Sequence, residues 1–132
     1  MTEIRKLTKI TLLLDALAGI IFAFLYLVIP DIYIYNLTQW PFNDPVYFRF
    51  FGGTLLVIGL FSLMAYFKKE WEEVQLFFQF GLLWLLMVLI INSLELALLT
   101  LPAMSFANTL FNTILVAIYF VLGIYCCMKQ RG

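Results

Sequence analysis

Apolar positions run in four long blocks, at about 8–29, 47–67, 74–100 and 107–128, separated by short polar breaks. Leu, Ile, Phe and Val fill each block on every side. Neither the one-faced stripe of an amphipathic helix nor the strict alternation of a strand is present. About 20 helical residues cross a bilayer, so the pattern predicts four transmembrane helices packed among lipid and one another. A barrel would show shorter segments of alternating hydrophobicity. The first block lacks a small-x-small cleavage site and three more follow it, so it is expected to be an uncleaved span. The expected fold is all-α: an integral membrane antiparallel four-helix transmembrane bundle forming one domain over 1–132.

Charge sets the orientation. Arg5, Lys6 and Lys9 precede the first span, Lys68 and Lys69 separate the second from the third, and Lys129 and Arg131 follow the fourth. With four crossings those seven share one side and Arg49 alone occupies the other. The positive-inside rule then places both termini and the 68–73 turn in the cytoplasm, the membrane being the plasma or cytoplasmic one. The long connection, 30–46, falls outside. Its Tyr33, Tyr35, Trp40 and Phe42 suit the headgroup layer, and a short helix or turn is expected there.

Composition narrows the function classes. The 132 residues are 64% hydrophobic and 12% charged, with a mean hydropathy of +1.01. A chain this short has too little interior to hide that much apolar surface from water, which excludes a soluble enzyme. Eight basic and eight acidic residues cancel, so no basic field exists to hold nucleic acid. Histidine is absent, which removes the commonest general base and metal ligand. Cys126 and Cys127 are adjacent, unlike a Cys-x-x-Cys redox pair, and are read as apolar residues at a helix end with acylation as the alternative. No phosphate loop, nucleophile elbow or HExxH pattern occurs. The expectation is a non-enzyme that needs no cofactor and no metal.

Asp15 and Glu95 require an explanation, because an ionised acid within a span costs roughly 2.5–3.5 kcal/mol on insertion scales. At 1.5 Å per residue, Asp15 lies roughly 8–10 Å inside the cytoplasmic boundary and Glu95 about as far inside the outer one. In a core ~30 Å thick they are too far apart to pair. Residues at matching depth suggest two clusters. The outer one joins Arg49, Asn92, Glu95 and Asn112, centred on an Arg49–Glu95 ion pair, with Asn108, Thr109 and Thr113 nearby. The inner one joins Asp15 to Ser62, Gln75 and Gln79, with Tyr66 and Tyr125 as further donors. Such clusters either hold helices in register or form a ligand or proton site.

Small residues give a second signal. Gly19/Ala23 and Ser93/Ala97 have small-xxx-small spacing, and Gly52, Gly53 and Gly59 share the second span. Packing within one bundle explains them, with homo-oligomer contacts as the sharper alternative. Asn36-Leu37-Thr38 matches the glycosylation acceptor pattern, which matters only in a secretory pathway.

From Pro30 through Asn43-Asp44-Pro45-Val46-Tyr47-Phe48-Arg49-Phe50-Phe51-Gly52-Gly53-Thr54-Leu55-Leu56 the chain resembles the small DoxX-like membrane proteins. In these an apolar first span ends near a proline, a polar outer loop follows, and an Arg-x-x-Gly-rich second span comes next. The resemblance implies a four-helix bundle of no established activity, with Arg49 and Gly52 as structural markers. Small multidrug-resistance transporters also have four spans and an acid in the first. The corresponding acid here is Asp15, without their surrounding pattern. The leading expectation is a protein that binds a lipid, a small hydrophobic ligand or a membrane-protein partner within the bundle. The alternative is a proton-coupled carrier of small hydrophobic cations using Asp15 or Glu95.

Overall fold

The computed structural model describes residues 2–42 and 44–131; Asn43 of the motif above lies outside them. Among the described residues the chain is all-helical: α1 (Lys6–Leu27), a π-helix (Asp31–Leu37), α2 (Pro45–Tyr66), α3 (Trp71–Leu98) and α4 (Ala103–Arg131). All four α-helices are long and apolar enough to cross a membrane, and by length and composition this is a multi-pass membrane protein. The expected spans agree with them to within a few residues.

Local chemistry sets the helix ends. Pro30 follows the last turn of α1, where a ring without an N–H disfavours continued helix. Asp44 caps α2 by accepting from the Tyr47 N–H at 3.1 Å, and Pro45 takes the first helical turn, where its missing donor costs nothing. Glu72 and Glu73 stand in the first turn of α3, and Lys129 and Arg131 in the last turn of α4; each complements the helix dipole.

The helices form two pairs. α1 lies along α2 for most of its length and α3 lies along α4, whereas α2 and α3 barely meet. Glycine explains the first pairing. A Cβ at Gly19 would come within 2.9 Å of the Leu55 carbonyl oxygen and 3.0 Å of Gly59 Cα, so the two backbones touch there. Gly19 and Ala23 are both buried, whereas Ser93 and Ala97 both face outward. The first small-residue line therefore packs within the chain and the second does not.

Tight packing concentrates at one end. Ile4, Leu12, Ala65, Trp71, Val74, Phe78, Cys126 and Cys127 form a buried apolar cluster there. The two cysteines are shielded and unpaired, as apolar residues at a helix end should be, so acylation would require that cluster to open. Hydrogen bonds clamp the same end. The Ile4 N–H donates to the Lys69 carbonyl at 2.9 Å, and the Trp71 N–H to the Thr2 carbonyl at 2.7 Å. Gln130, 4% exposed, accepts from the Arg5 N–H at 2.8 Å and the Thr8 hydroxyl at 3.2 Å, and donates to the Glu3 carbonyl at 3.0 Å. Gln130→Ala is expected to lower stability by about 1–3 kcal/mol, because it strands buried polar groups. Thermal unfolding in detergent will measure this, and a loss under ~0.5 kcal/mol would show the clamp to be incidental.

Candidate functional site

Away from the clamped end the two helix pairs diverge and enclose empty space. A central cavity of about 170 Å³ lies between them, walled by all four α-helices. Its lining is mainly apolar and aromatic, with Leu55, Leu85, Val116, Phe51 and Trp84 among the walls. Phe51 and Trp84 stack across the gap between α2 and α3, ring centres 6.1 Å apart. A second cavity, of about 110 Å³, adjoins it beneath the π-helix. The two share Tyr26, Phe51, Val88, Asn92 and Asn112, so they are neighbours with those side chains between them.

Asp15 reaches the central cavity because of its position on α1. Thr8, Thr11 and Asp15 follow each other at spacings of three and four, on one helical stripe. That stripe faces α4. Thr8 meets Gln130, and the Thr11 hydroxyl, which donates to the Leu7 carbonyl at 2.9 Å, lies 3.4 Å from Cys126 Sγ. One step further along, Asp15 and Tyr119 enter the cavity wall together. The Tyr119 hydroxyl donates to the Leu14 carbonyl at 3.4 Å and leaves the carboxyl alone. Among the described residues no side chain or backbone N–H hydrogen-bonds the Asp15 carboxyl, and no cation pairs with it; the one ion pair is Lys68–Glu73 at 3.1 Å.

The second cavity is more polar. Asn92 and Glu95 on α3 face Asn108, Thr109 and Asn112 on α4, as their matched depth implies. The π-helix roofs them with Tyr33 and Ile34, and the residues after it with Thr38 and Trp40. Its seat is firm: Ile34 is buried, and the Ser105 hydroxyl sits 2.7 Å from the carbonyl oxygens of both Thr38 and Gln39. Thr38 itself donates to the Ile34 carbonyl at 2.6 Å, and Gln39 takes φ 55°, a left-handed turn that ends the segment. Tyr33 donates to Asn108 Oδ1 at 3.4 Å. Burial raises its pKa against the lowering by hydrogen bonds to Asn112 and Asn108, so it stays a neutral phenol. The Glu95 carboxyl, like that of Asp15, has no hydrogen-bond or ionic partner among the described residues.

Two expectations drawn from depth alone need correction. Arg49 does not join the outer cluster and forms no ion pair with Glu95. It is exposed on the far side of α2, beside Phe50, Gly53 and Phe80, because Phe48, Phe51 and Gly52 occupy the face turned towards the bundle. The inner cluster also separates. Ser62 is buried on α2, and Gln75 and Gln79 are half-buried on α3, yet none of them lines the cavity that holds Asp15. Tyr66 lies under the Lys9 ammonium and Tyr125 under that of Lys129, each about one ring-width away. The cavity neighbour of Asp15 missed by the sequence reading is Tyr119. The signal for it was Thr8-x-x-Thr11-x-x-x-Asp15 set against Gln130 and Cys126, a polar stripe on each of two helices.

No family model, characterised protein or solved structure matches this chain.

Proposed function

We propose that this is a non-enzymatic membrane protein, an antiparallel four-helix bundle with both termini cytoplasmic, which binds a small hydrophobic ligand between its two helix pairs. One observation carries the reading: Asp15 and Glu95, two carboxyls without partners among the described residues, open into two adjoining cavities, the larger of them mainly apolar. A polar side chain that only held helices in register would be spent on a neighbouring helix, as Gln130 is. Volume selects the ligand class. An apolar protein cavity of ~150 Å³ holds benzene, and drug-sized sites run to ~300–1,000 Å³. The interior therefore suits a molecule of about one or two rings, not a whole phospholipid. The clamp joining residues 2–5, 69–72 and 130 agrees with the charge-based topology, since it gathers the cation-rich segments at one end. Layout agrees with the DoxX-like resemblance, which brings no activity with it.

Bromobenzene tests the binding reading, because its heavy atom quenches a neighbouring indole. Saturable quenching of tryptophan fluorescence is expected in detergent, and Trp84→Phe should remove most of it. A Cβ at Gly81 meets nothing within 4 Å, so Gly81→Leu fills the central cavity without disturbing the helices. It should weaken binding about tenfold or more, the loss of one well-buried apolar contact surface. Unchanged affinity in Gly81→Leu would overturn the reading.

The placement of one acid in each of two adjoining cavities favours a second reading, a proton-coupled carrier of small hydrophobic cations. In proteoliposomes a carrier would couple benzylammonium movement to proton flux, and Asp15→Asn or Glu95→Gln would abolish that flux with folding intact. No flux in the wild type would leave binding alone.

A further inference from the structure

The cleft between α2 and α3 has no role in the reading above. It opens on the outer surface of the bundle, has a volume of about 640 Å³, and is lined by Val46, Arg49, Phe50, Gly53, Val57 and Phe80 among others. It exists because these two helices barely meet, and Ile58 is the wall between it and the central cavity. The lining is apolar except for Thr54, whose hydroxyl donates to the Phe50 carbonyl at 2.9 Å, and Arg49, which stands in the second turn of α2. Arg49 is the one Lys or Arg between Lys9 and Lys68. Among the described residues it has no ion pair and no hydrogen-bond acceptor. The guanidinium brings five donors to a largely apolar furrow that Gly53 also lines.

We infer that this cleft holds one phospholipid of the adjacent leaflet, its phosphate on Arg49 and an acyl chain along Gly53 and Val57 against Phe80. Charge decides the headgroup: a planar guanidinium matches phosphate oxygens, which it can engage in pairs. Length decides the tail. Arg49 to Val57 spans about 12 Å of helix, close to the ~15 Å that one leaflet's chains occupy. Gly53 decides the path, since a Cβ there meets nothing within 4 Å and the furrow beside it is open. A bound chain would also supply the side-by-side packing that α2 and α3 do not give each other.

Native mass spectrometry of the intact protein in mild detergent tests this with phosphatidylglycerol and with diacylglycerol of the same chains. The wild type should retain one phosphatidylglycerol per chain. Arg49→Gln should lower its occupancy about fivefold, the size of one basic side chain's attraction to an anionic lipid surface, and leave diacylglycerol unchanged. Arg49→Lys, which keeps the charge, should keep most of the binding. Gly53→Leu should lower retention of both lipids, and circular dichroism should show unchanged helix content in all three variants. Equal phosphatidylglycerol retention by wild type and Arg49→Gln overturns the inference. So does a lipid-free dimer that Gly53→Leu dissociates, which would give the cleft to a second copy of the chain. The bromobenzene titration reads the other cavity, so either proposal can fail without the other.

Discussion

Gly19→Leu should separate α1 from α2 and produce the largest loss of stability of any single apolar substitution in the first helix. Overpacking a core commonly costs about 1–3 kcal/mol, and the cost stays low only where neighbours can shift. Neighbours cannot shift here. The atoms facing a Cβ at Gly19 are the Leu55 carbonyl oxygen, Gly59 Cα and Gly59 N, all main chain of a continuous helix. Even Gly19→Ala must push two rods apart, and Leu adds three further carbons to the collision. The expected loss is therefore at the upper end of that range, about 3 kcal/mol, read by thermal unfolding in detergent with helix content followed by circular dichroism. Gly53→Leu and Gly81→Leu are the controls. Their Cβ positions are open, and each should fall within ~0.5 kcal/mol of wild type. Comparable losses at all three glycines would mean that added bulk anywhere, not the backbone contact at Gly19, governs the response, since helix propensity favours leucine over glycine.

Hydrophobic blocks separated by short polar breaks made the helices legible in the sequence, because a span must satisfy its own backbone and stay apolar on all sides. The Gly19/Ala23 line was legible for the same reason: only a residue without bulk allows two backbones to touch. Half of the site was legible too. Asn92, Glu95, Asn108 and Asn112 do face one another, since α3 and α4 are joined by a short link that fixes their relative depth.

The other half was not, and the reason is geometric. Depth along the membrane normal follows from counting residues, whereas the direction a side chain faces depends on which helix packs where. A uniformly apolar helix has no moment to announce this. Arg49 and Glu95 match in depth yet lie on different faces of the bundle, and Asp15 and Ser62 do likewise. Only contact-specific polar spacing breaks the degeneracy. Thr8, Thr11 and Asp15 on α1 supply it: Thr8 meets Gln130, Thr11 meets Cys126, and Asp15 enters the cavity wall beside Tyr119, in matching order along α4. The clamp had no sequence signature at all, since its bonds are mostly made by main chain of residues 2–5 and 69–71.

Asp15→Leu should make the protein more stable and less able to do its work. An acid inside a span is penalised by roughly 2.5–3.5 kcal/mol on insertion scales. Hydrogen bonds ordinarily offset such a penalty, and among the described residues none reaches this carboxyl. Leucine at the same position has room, because the side chain projects into a cavity of about 170 Å³ rather than into packed neighbours. Removing the charged or protonated group and adding apolar contact should then raise stability by about 1–3 kcal/mol. Asp15→Asn keeps the polarity and the shape and should change it by less than ~1 kcal/mol. The comparison separates a site from a strut. If Asp15 anchored α1 to a partner, both variants would unfold at lower temperature, with leucine the worse of the two. A stabilised Asp15→Leu that no longer couples benzylammonium to proton movement would place the acid among residues kept for function at a cost in stability. Destabilisation in both variants would assign the carboxyl to helix packing and leave Glu95 as the one remaining acid that faces a cavity.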